Sequence, residues 1–189
     1  MSTDIIHAAL SEHQAVIARL EALIPVIRQI ADRIQLCLNQ GGKLLLMGNG
    51  GSAADSQHIA AELVGRFRQE RRGLPAIALT TDTSILTSVG NDYGYEHIFA
   101  RQIDALCDSE DVVIGITTSG NSPSVIKAVQ LARELGAYTI GFSGDGGGRL
   151  AEVCDLTLKV PSGDTARIQE AHILIGHILC ELLDGLQRR

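Results

Sequence analysis

His58 and Glu62 stand four residues apart in a segment of helical periodicity, so both side chains fall on one helix face. A His and a Glu in that relation can share a divalent cation, or the carboxylate can serve as a base. A solvated polar face is the commoner fate of such pairs, and Arg66 extends the same stripe. The position of the pair raises its interest. About two to three helical turns before it lies Gly48-Asn49-Gly50-Gly51-Ser52, a glycine turn that closes a short apolar run and opens a helix. Such a turn aims backbone N–H groups and a helix N-terminus at one point, which suits an anion. The turn matches G-x-G-x-x-A loosely through Ala53, but no acidic residue closes the following strand as a dinucleotide site requires, and the Lys of a Walker loop is missing.

A second run, Thr117-Thr118-Ser119-Gly120-Asn121-Ser122, ends another apolar segment, and Pro123 opens the helix that follows. Ser122 is the expected N-cap. Capping explains one hydroxyl, whereas this run carries several at the carboxyl end of a strand, where open α/β sheets bind ligands. Hydroxyls and amides without Lys or Arg can hold a phosphate by hydrogen bonds and the helix dipole.

The third candidate segment is apolar and helical, from Arg167-Ile168-Gln169-Glu170 to His177. Gln169 and His177 are about 80° apart around that helix and about 12 Å apart along it. His172, about 140° round from His177, is assigned to the core, and Gly176 allows close approach of a second helix. Asn91-Asp92-Tyr93-Gly94-Tyr95 reads as a loop or turn before the helix that holds Arg101 and Gln102. Gly144-Asp145-Gly146-Gly147-Gly148 reads as a flexible connection without chemistry.

The elements that must position these residues are legible from periodicity. Residues 4–39 carry apolar side chains at helical spacing, including Ile5, Ile6, Leu10, Val16, Leu20, Ile27, Ile30 and Ile34. Pro25 divides them into two helices, or kinks one near residue 24. Short apolar runs then recur at 43–47, 76–79, 112–116, 138–142 and 156–160, with helical patterns between them. Strands without polar alternation, separated by helices, indicate a parallel sheet covered on both faces. The expected fold is a three-layer α/β sandwich of about five parallel strands. An N-terminal helical extension (1–40) precedes it, a long C-terminal helix (about 166–187) follows it, and residues 1–189 form a single domain.

Composition narrows the function. The chain has 189 residues, 22 Asp and Glu against 16 Lys and Arg, a net charge of −6, and only 3% aromatics. It therefore lacks both the basic footprint and the stacking platforms of nucleic-acid binders. Its length suits one domain with a real core. No signal peptide or membrane-length apolar run is visible. Cys37, Cys107, Cys154 and Cys180 are isolated and read as reduced thiols. The expected location is the cytoplasm.

Taken in order, the helical start, Gly48–Ser52, Gln57-His58 with Glu62, Gly90-Asn91-Asp92, Thr118–Ser122 and Arg167-Ile168-Gln169-Glu170 followed by His177 resemble the sugar isomerase (SIS) domain family, in its phosphoheptose isomerase branch. The resemblance covers nearly the whole chain. It implies the SIS fold and an aldose–ketose isomerase that interconverts sedoheptulose 7-phosphate and D-glycero-D-manno-heptose 7-phosphate, an early step toward the heptose of lipopolysaccharide or capsule. It further implies that Asn49, Gly50, Gly51 and Ser52 line the substrate, with Asn91 and Asp92 on the sugar. Thr117, Thr118, Ser119 and Ser122 would hold the phosphate. Glu62 and His177 match the family's acid/base pair, and His58, Glu62, Gln169 and His177 match its zinc ligands, Glu62 and Gln169 also contacting substrate. Where some members have Asp before Arg-Ile-Gln, this chain has Ala166, with Asp164 two residues earlier.

The implied reaction passes through a cis-enediol, with proton transfer at neighbouring carbons. Whether Glu62 or His177 acts first is open at this level. One metal at ~2.1 Å from both Gln169 and His177 is hard to reach across about 12 Å of straight helix. The expectation is therefore a site shared between subunits, in keeping with the family's homotetramer and with a helical extension used for oligomerisation. Two other readings exist: a non-catalytic SIS protein that binds the bacterial replication initiator, and a sugar-phosphate-sensing regulator. The first lacks the catalytic pair that stands here as Glu62 and His177, and no DNA-binding module accompanies this chain for the second.

Overall fold

The computed structural model describes residues 2–185. The N-terminal apolar periodicity becomes α1 (Ser2–Arg19) and α2 (Ile24–Asn39), joined by a 3-10 turn at Leu20–Leu23. Pro25 sits in the first turn of α2, where its missing N–H costs no helical bond. The expected break near residue 24 is thus a junction of two helices. α2 buries Ile27, Ile30, Ala31, Ile34 and Leu38, a stripe at i, i+3, i+4 and i+7. α1 behaves differently: Ile5, Ile6 and Leu10 are 71%, 59% and 57% exposed, and the extension reaches the core through Val16 and Leu20.

Five strands follow, β1 (Leu44–Gly48), β2 (Ala76–Ala78), β3 (Val112–Ile116), β4 (Tyr138–Ser143) and β5 (Leu156–Lys159). They pair in parallel in the order β2-β1-β3-β4-β5. β1 and β3 are buried at every position, as expected of strands covered on both faces. Between the strands run α3 (Gly51–Val64), α4 (Thr83–Tyr93), α5 (Ala100–Leu106), α6 (Pro123–Glu134) and α7 (Leu150–Val153), and α8 (Thr165–Asp184) ends the fold.

Alternate strand residues feed two cores. Leu44 and Leu46 face α2, α3 and α8 with Ile34, Leu63 and Ile175. Leu45 and Met47 face the opposite layer with Phe99, Ile103, Val125 and Leu150. The three-layer parallel α/β sandwich expected from the sequence is the fold observed. The expected end of the last helix at Gln187 lies outside the described residues.

This topology opens the site. β1 and β3 are neighbours, yet α3 leaves β1 toward one layer and α6 leaves β3 toward the other. The two connections diverge and leave a crevice at the carboxyl ends of the strands, the switch point at which such sheets bind ligands. α8 borders it by lying on α3. Gly176 permits this contact, because a Cβ there would stand 2.7 Å from Cδ1 of Ile59. No described helix is long and apolar enough to cross a membrane.

Candidate active site

The β1–α3 connection turns at Gly50, whose φ of +57° is one that side chains rarely adopt. Gly51 makes room for a neighbour: a Cβ there would come within 2.5 Å of Nε2 of Gln169, so the amide of Gln169 rests on the loop backbone. Asn49 is held from two sides. Its Nδ2 donates to Oγ of Ser124 at 3.0 Å, and its Oδ1 accepts from the Tyr95 hydroxyl at 2.9 Å. Ser52 is buried in the first turn of α3.

The β3–α6 connection carries the hydroxyl run. Oγ1 of Thr117 lies 2.8 Å from Oγ of Ser122 and 3.3 Å from Oγ of Ser119, so three hydroxyls meet. Ser122 occupies the N-cap position of α6, but its side chain makes no capping bond. This corrects the expected cap: the hydroxyl turns to Thr117, and because Pro123 has no N–H and Val125 N donates to Ser122 O at 3.1 Å, the N–H of Ser124 is the first that α6 can offer an anion. Thr118 is half-buried, and its carbonyl accepts from Gly144 N at 3.0 Å.

The 144–148 turn has a structural task that the sequence reading missed. Gly120 has φ +69°, and a Cβ on it would come within 2.1 Å of the Gly147 carbonyl oxygen. Leu150 N donates to Gly120 O at 2.9 Å, and Arg149 N donates to Oδ1 of Asn121 at 3.1 Å. The glycine cluster is therefore the floor on which the hydroxyl loop rests.

The titratable cluster is built by α3 and α8. Nε2 of His58 lies 2.9 Å from Nε2 of His177 and 3.4 Å from Oε1 of Glu62. One ligand atom from each of the three falls within 4.8 Å of the others. A tetrahedral ion with ligands at ~2.1 Å sets neighbouring donors about 3.4 Å apart, so this donor set fits a metal. The amide of Gln169, the fourth expected ligand, sits at the Gly51 loop.

The His177 ring is framed by aromatic neighbours. His58 meets it edge-on, with centroids 5.0 Å apart at 66°. Phe67 stacks on it at 5.5 Å and 16°. His172 is fully buried beside Phe142, with Nε2 3.2 Å from Ser143 O. Burial pushes its pKa down to about 4, against the opposing pull of that carbonyl. Its assignment to the core stands.

Other expectations are redrawn. Asn91 and Asp92 belong to the last turn of α4 and are not in a loop. Nδ2 of Asn91 donates to Oδ1 of Asp92 at 2.8 Å. The helix stops at Tyr93 because Gly94 takes φ +93°. Arg66 falls past the end of α3, with Nε 3.5 Å from Glu70, so the stripe through His58 and Glu62 stops short of it. Asp164 caps α8 by accepting from Arg167 N at 3.0 Å, which occupies the carboxylate nearest Ala166.

Asp55, Phe67, Tyr95 and Ser124 were absent from the sequence-based set. Asp55 stands one turn before His58 on α3, a spacing that could have revealed it. Burial pushes its carboxyl up to about 6 despite the nearby His58, and its Oδ2 has no hydrogen-bond partner among the described residues. Phe67 and Tyr95 carry no such signal, because tertiary folding alone brings them to the site.

The model of the SIS domain matches residues 10–144. A phosphoheptose isomerase of Aquifex aeolicus is 60% identical over 170 residues, 90% of this chain and 89% of that protein. The structure of a phosphoheptose isomerase from Francisella tularensis superposes with a TM-score of 0.96 at 40% identity, covering 98% of this chain and 100% of that one. That of the enzyme from Neisseria gonorrhoeae gives 0.94 at 43%, with the same coverage. A sheet, two connections rich in glycine and hydroxyl groups and a histidine–carboxylate cluster in this arrangement, with relatives this near, have one classification: the chain belongs to the SIS domain family, in its phosphoheptose isomerase branch.

Proposed function

We propose that the protein converts sedoheptulose 7-phosphate to D-glycero-D-manno-heptose 7-phosphate, serving heptose biosynthesis. The observation that carries the reading is the meeting of Glu62, His58 and His177 beside the crevice, in a chain whose relatives are phosphoheptose isomerases.

The phosphate is received by the hydroxyls of Thr117, Ser119 and Ser122, by Thr118, and by the N–H of Ser124 in the first turn of α6. These are neutral donors, in keeping with a net charge of −6. With the phosphate fixed there, Asn49, Gly50, Gly51, Ser52 and Gln169 line the sugar chain, and Asn91 and Asp92 reach it from α4. The reacting carbons lie between Glu62 and His177. One of the pair removes the proton at C1, whose electrons form the C1–C2 double bond of an enediol as O2 takes a proton. The other delivers a proton to C2 as the O1 proton leaves, giving the aldehyde. Zn²⁺ held by His58, Glu62, His177 and Gln169 supplies Lewis-acid polarisation of the substrate oxygens.

Gln169 completes this ligand set from a second copy of the chain. The reading therefore includes a homotetramer whose active sites lie at subunit interfaces, with the exposed face of α1, in the 1–40 extension, as a contact. The four cysteines form no disulfide among the described residues, in keeping with a cytoplasmic setting.

The test incubates the purified, zinc-supplied protein with sedoheptulose 7-phosphate and follows the aldose product. Glu62→Gln and His177→Ala should each lower kcat about 10²- to 10⁴-fold. Activity untouched by both changes would refute the site. A wild type without activity would favour the initiator-binding alternative.

A further inference from the structure

The segment after α3, residues 65–73, has no regular secondary structure, yet it is the part of the chain that places a ring on His177. Such a segment does not hold an aromatic side chain in place by itself. Here the two backbone N–H groups after Phe67, those of Arg68 and Gln69, donate to one oxygen of Asp184 at 2.7 and 3.0 Å. The other Asp184 oxygen accepts from Nε of Arg71 at 3.0 Å. Arg71 then donates to the carbonyls of Leu63 and Glu62 at 2.9 and 3.0 Å, two that lie in the last turn of α3 and lack a partner within the helix.

Both charged side chains of this clasp are buried, at 6% and 1% exposure. Burial raises the carboxyl of Asp184, but the three donors outweigh it and hold the group below its ordinary value. A buried ion pair contributes little net stability over apolar packing and is often retained for geometry. This one joins the C-terminal ends of α3 and α8, the two helices that bring His58, Glu62 and His177 together, and it fixes the backbone on either side of Phe67.

We propose that Phe67 is a positioning residue for His177, and that the Arg71–Asp184 clasp exists to hold it there. The proposal rests on the reading of His177 as a reacting and metal-binding group. A half-buried imidazole on a helix has two rotatable bonds, and a flip of its ring puts Cε1 where Nε2 was and Cδ2 where Nδ1 was, which takes the ligand nitrogen out of the cluster. The Phe67 face fixes the plane of the His177 ring, and the 2.9 Å contact with Nε2 of His58 keeps Nε2 toward the cluster. Phe67 itself meets neither substrate nor metal in this scheme.

Two variants separate ring geometry from packing. Phe67→Leu keeps an apolar side chain against the core, and Phe67→Tyr keeps the ring. Three quantities are read: kcat and KM for sedoheptulose 7-phosphate, affinity for Zn²⁺ alone by competition with a chelator, and the melting temperature. The stacked pair predicts that Phe67→Leu lowers kcat and zinc affinity each about two- to tenfold. KM should stay within about twofold, and Phe67→Tyr should restore both losses. A Phe67→Leu protein equal to wild type in kcat and zinc affinity overturns the proposal, as does a Phe67→Tyr protein as impaired as Phe67→Leu. An inactive wild type whose zinc affinity still falls with Phe67→Leu would defeat the reaction and leave the positioning role intact. An active wild type indifferent to Phe67→Leu would do the reverse.

Discussion

Replacing Gly120 by alanine tests the claim that one loop is the floor of another. The new Cβ would stand 2.1 Å from the Gly147 oxygen, 2.6 Å from its carbonyl carbon and 2.8 Å from Gly148 N. Carbon and oxygen in contact prefer about 3.3 Å or more, so the two loops must part by roughly 1 Å, and the obstacle is backbone that cannot rotate away. Overpacking of this kind costs about 1–3 kcal/mol. The φ of +69° adds about 1–2 kcal/mol for any residue with a Cβ. The sum, about 2–5 kcal/mol, corresponds to a melting temperature lower by roughly 4–20 °C in a chain of this length. Because the displaced backbone carries Thr118 and Ser119, KM for the phosphosugar should rise while Phe67 and His177 stay in place. Two neighbours calibrate the measurement. Gly146 has nothing within 4 Å and no positive φ, so Gly146→Ala should change stability by less than about 0.5 kcal/mol. Gly50 has open space but φ +57° with ψ −122°, so its alanine variant should cost about 1–3 kcal/mol from the backbone alone. Calorimetric melts of the three proteins decide. A Gly120→Ala protein that melts with Gly146→Ala refutes the reasoning.

Three further outcomes follow from burial and charge. His172 is neutral when folded above pH of about 4 but takes a proton in the unfolded chain below 6.5, so stability should fall as pH drops through that window, by at most about 3 kcal/mol. His172→Gln should flatten this part of the stability–pH curve measured by denaturant titration, and an unchanged slope would contradict the burial argument. Asp184→Ala strands the Arg71 guanidinium and should cost about 3–5 kcal/mol in the same titration, whereas a loss below about 1 kcal/mol would mean that solvent already reaches the pair. Ile6→Lys on the exposed face of α1 should lower the sedimentation mass without lowering the melting point of the isolated chain, and an unchanged mass would remove α1 from the subunit contact.

The fold was legible because its strands are short, uninterrupted apolar runs between helical patterns, a combination that only a covered parallel sheet satisfies. The two connections at the strand ends were legible as well, since runs of glycine and hydroxyl residues close the apolar segments of β1 and β3. What escaped were relations made only by folding. Asn91 and Asp92 looked like a turn because Gly94 follows them, yet a glycine with positive φ ends a helix as readily as it makes a turn, and the helix wins here. Ser122 looked like a cap, but Thr117 offers its hydroxyl a partner from five residues away. Gly147 looked like slack, and its role depends on Gly120, distant in sequence. Phe67 was invisible because nothing local marks a ring that stacks on a histidine from another helix.

The division of labour between elements also bears on descent. In the proposed reaction the phosphosugar is received by the connections after β1 and β3, whose crevice follows from strand order, while proton transfer falls to side chains on α3 and α8. Recognition and reaction can therefore be lost independently. A copy of this chain that drifted at Glu62 and His177 would keep its sheet, its hydroxyl loop and its glycine floor, and would still close on the same ligand without turning it over. A sensor of sugar phosphates is thus only two side chains away from the enzyme.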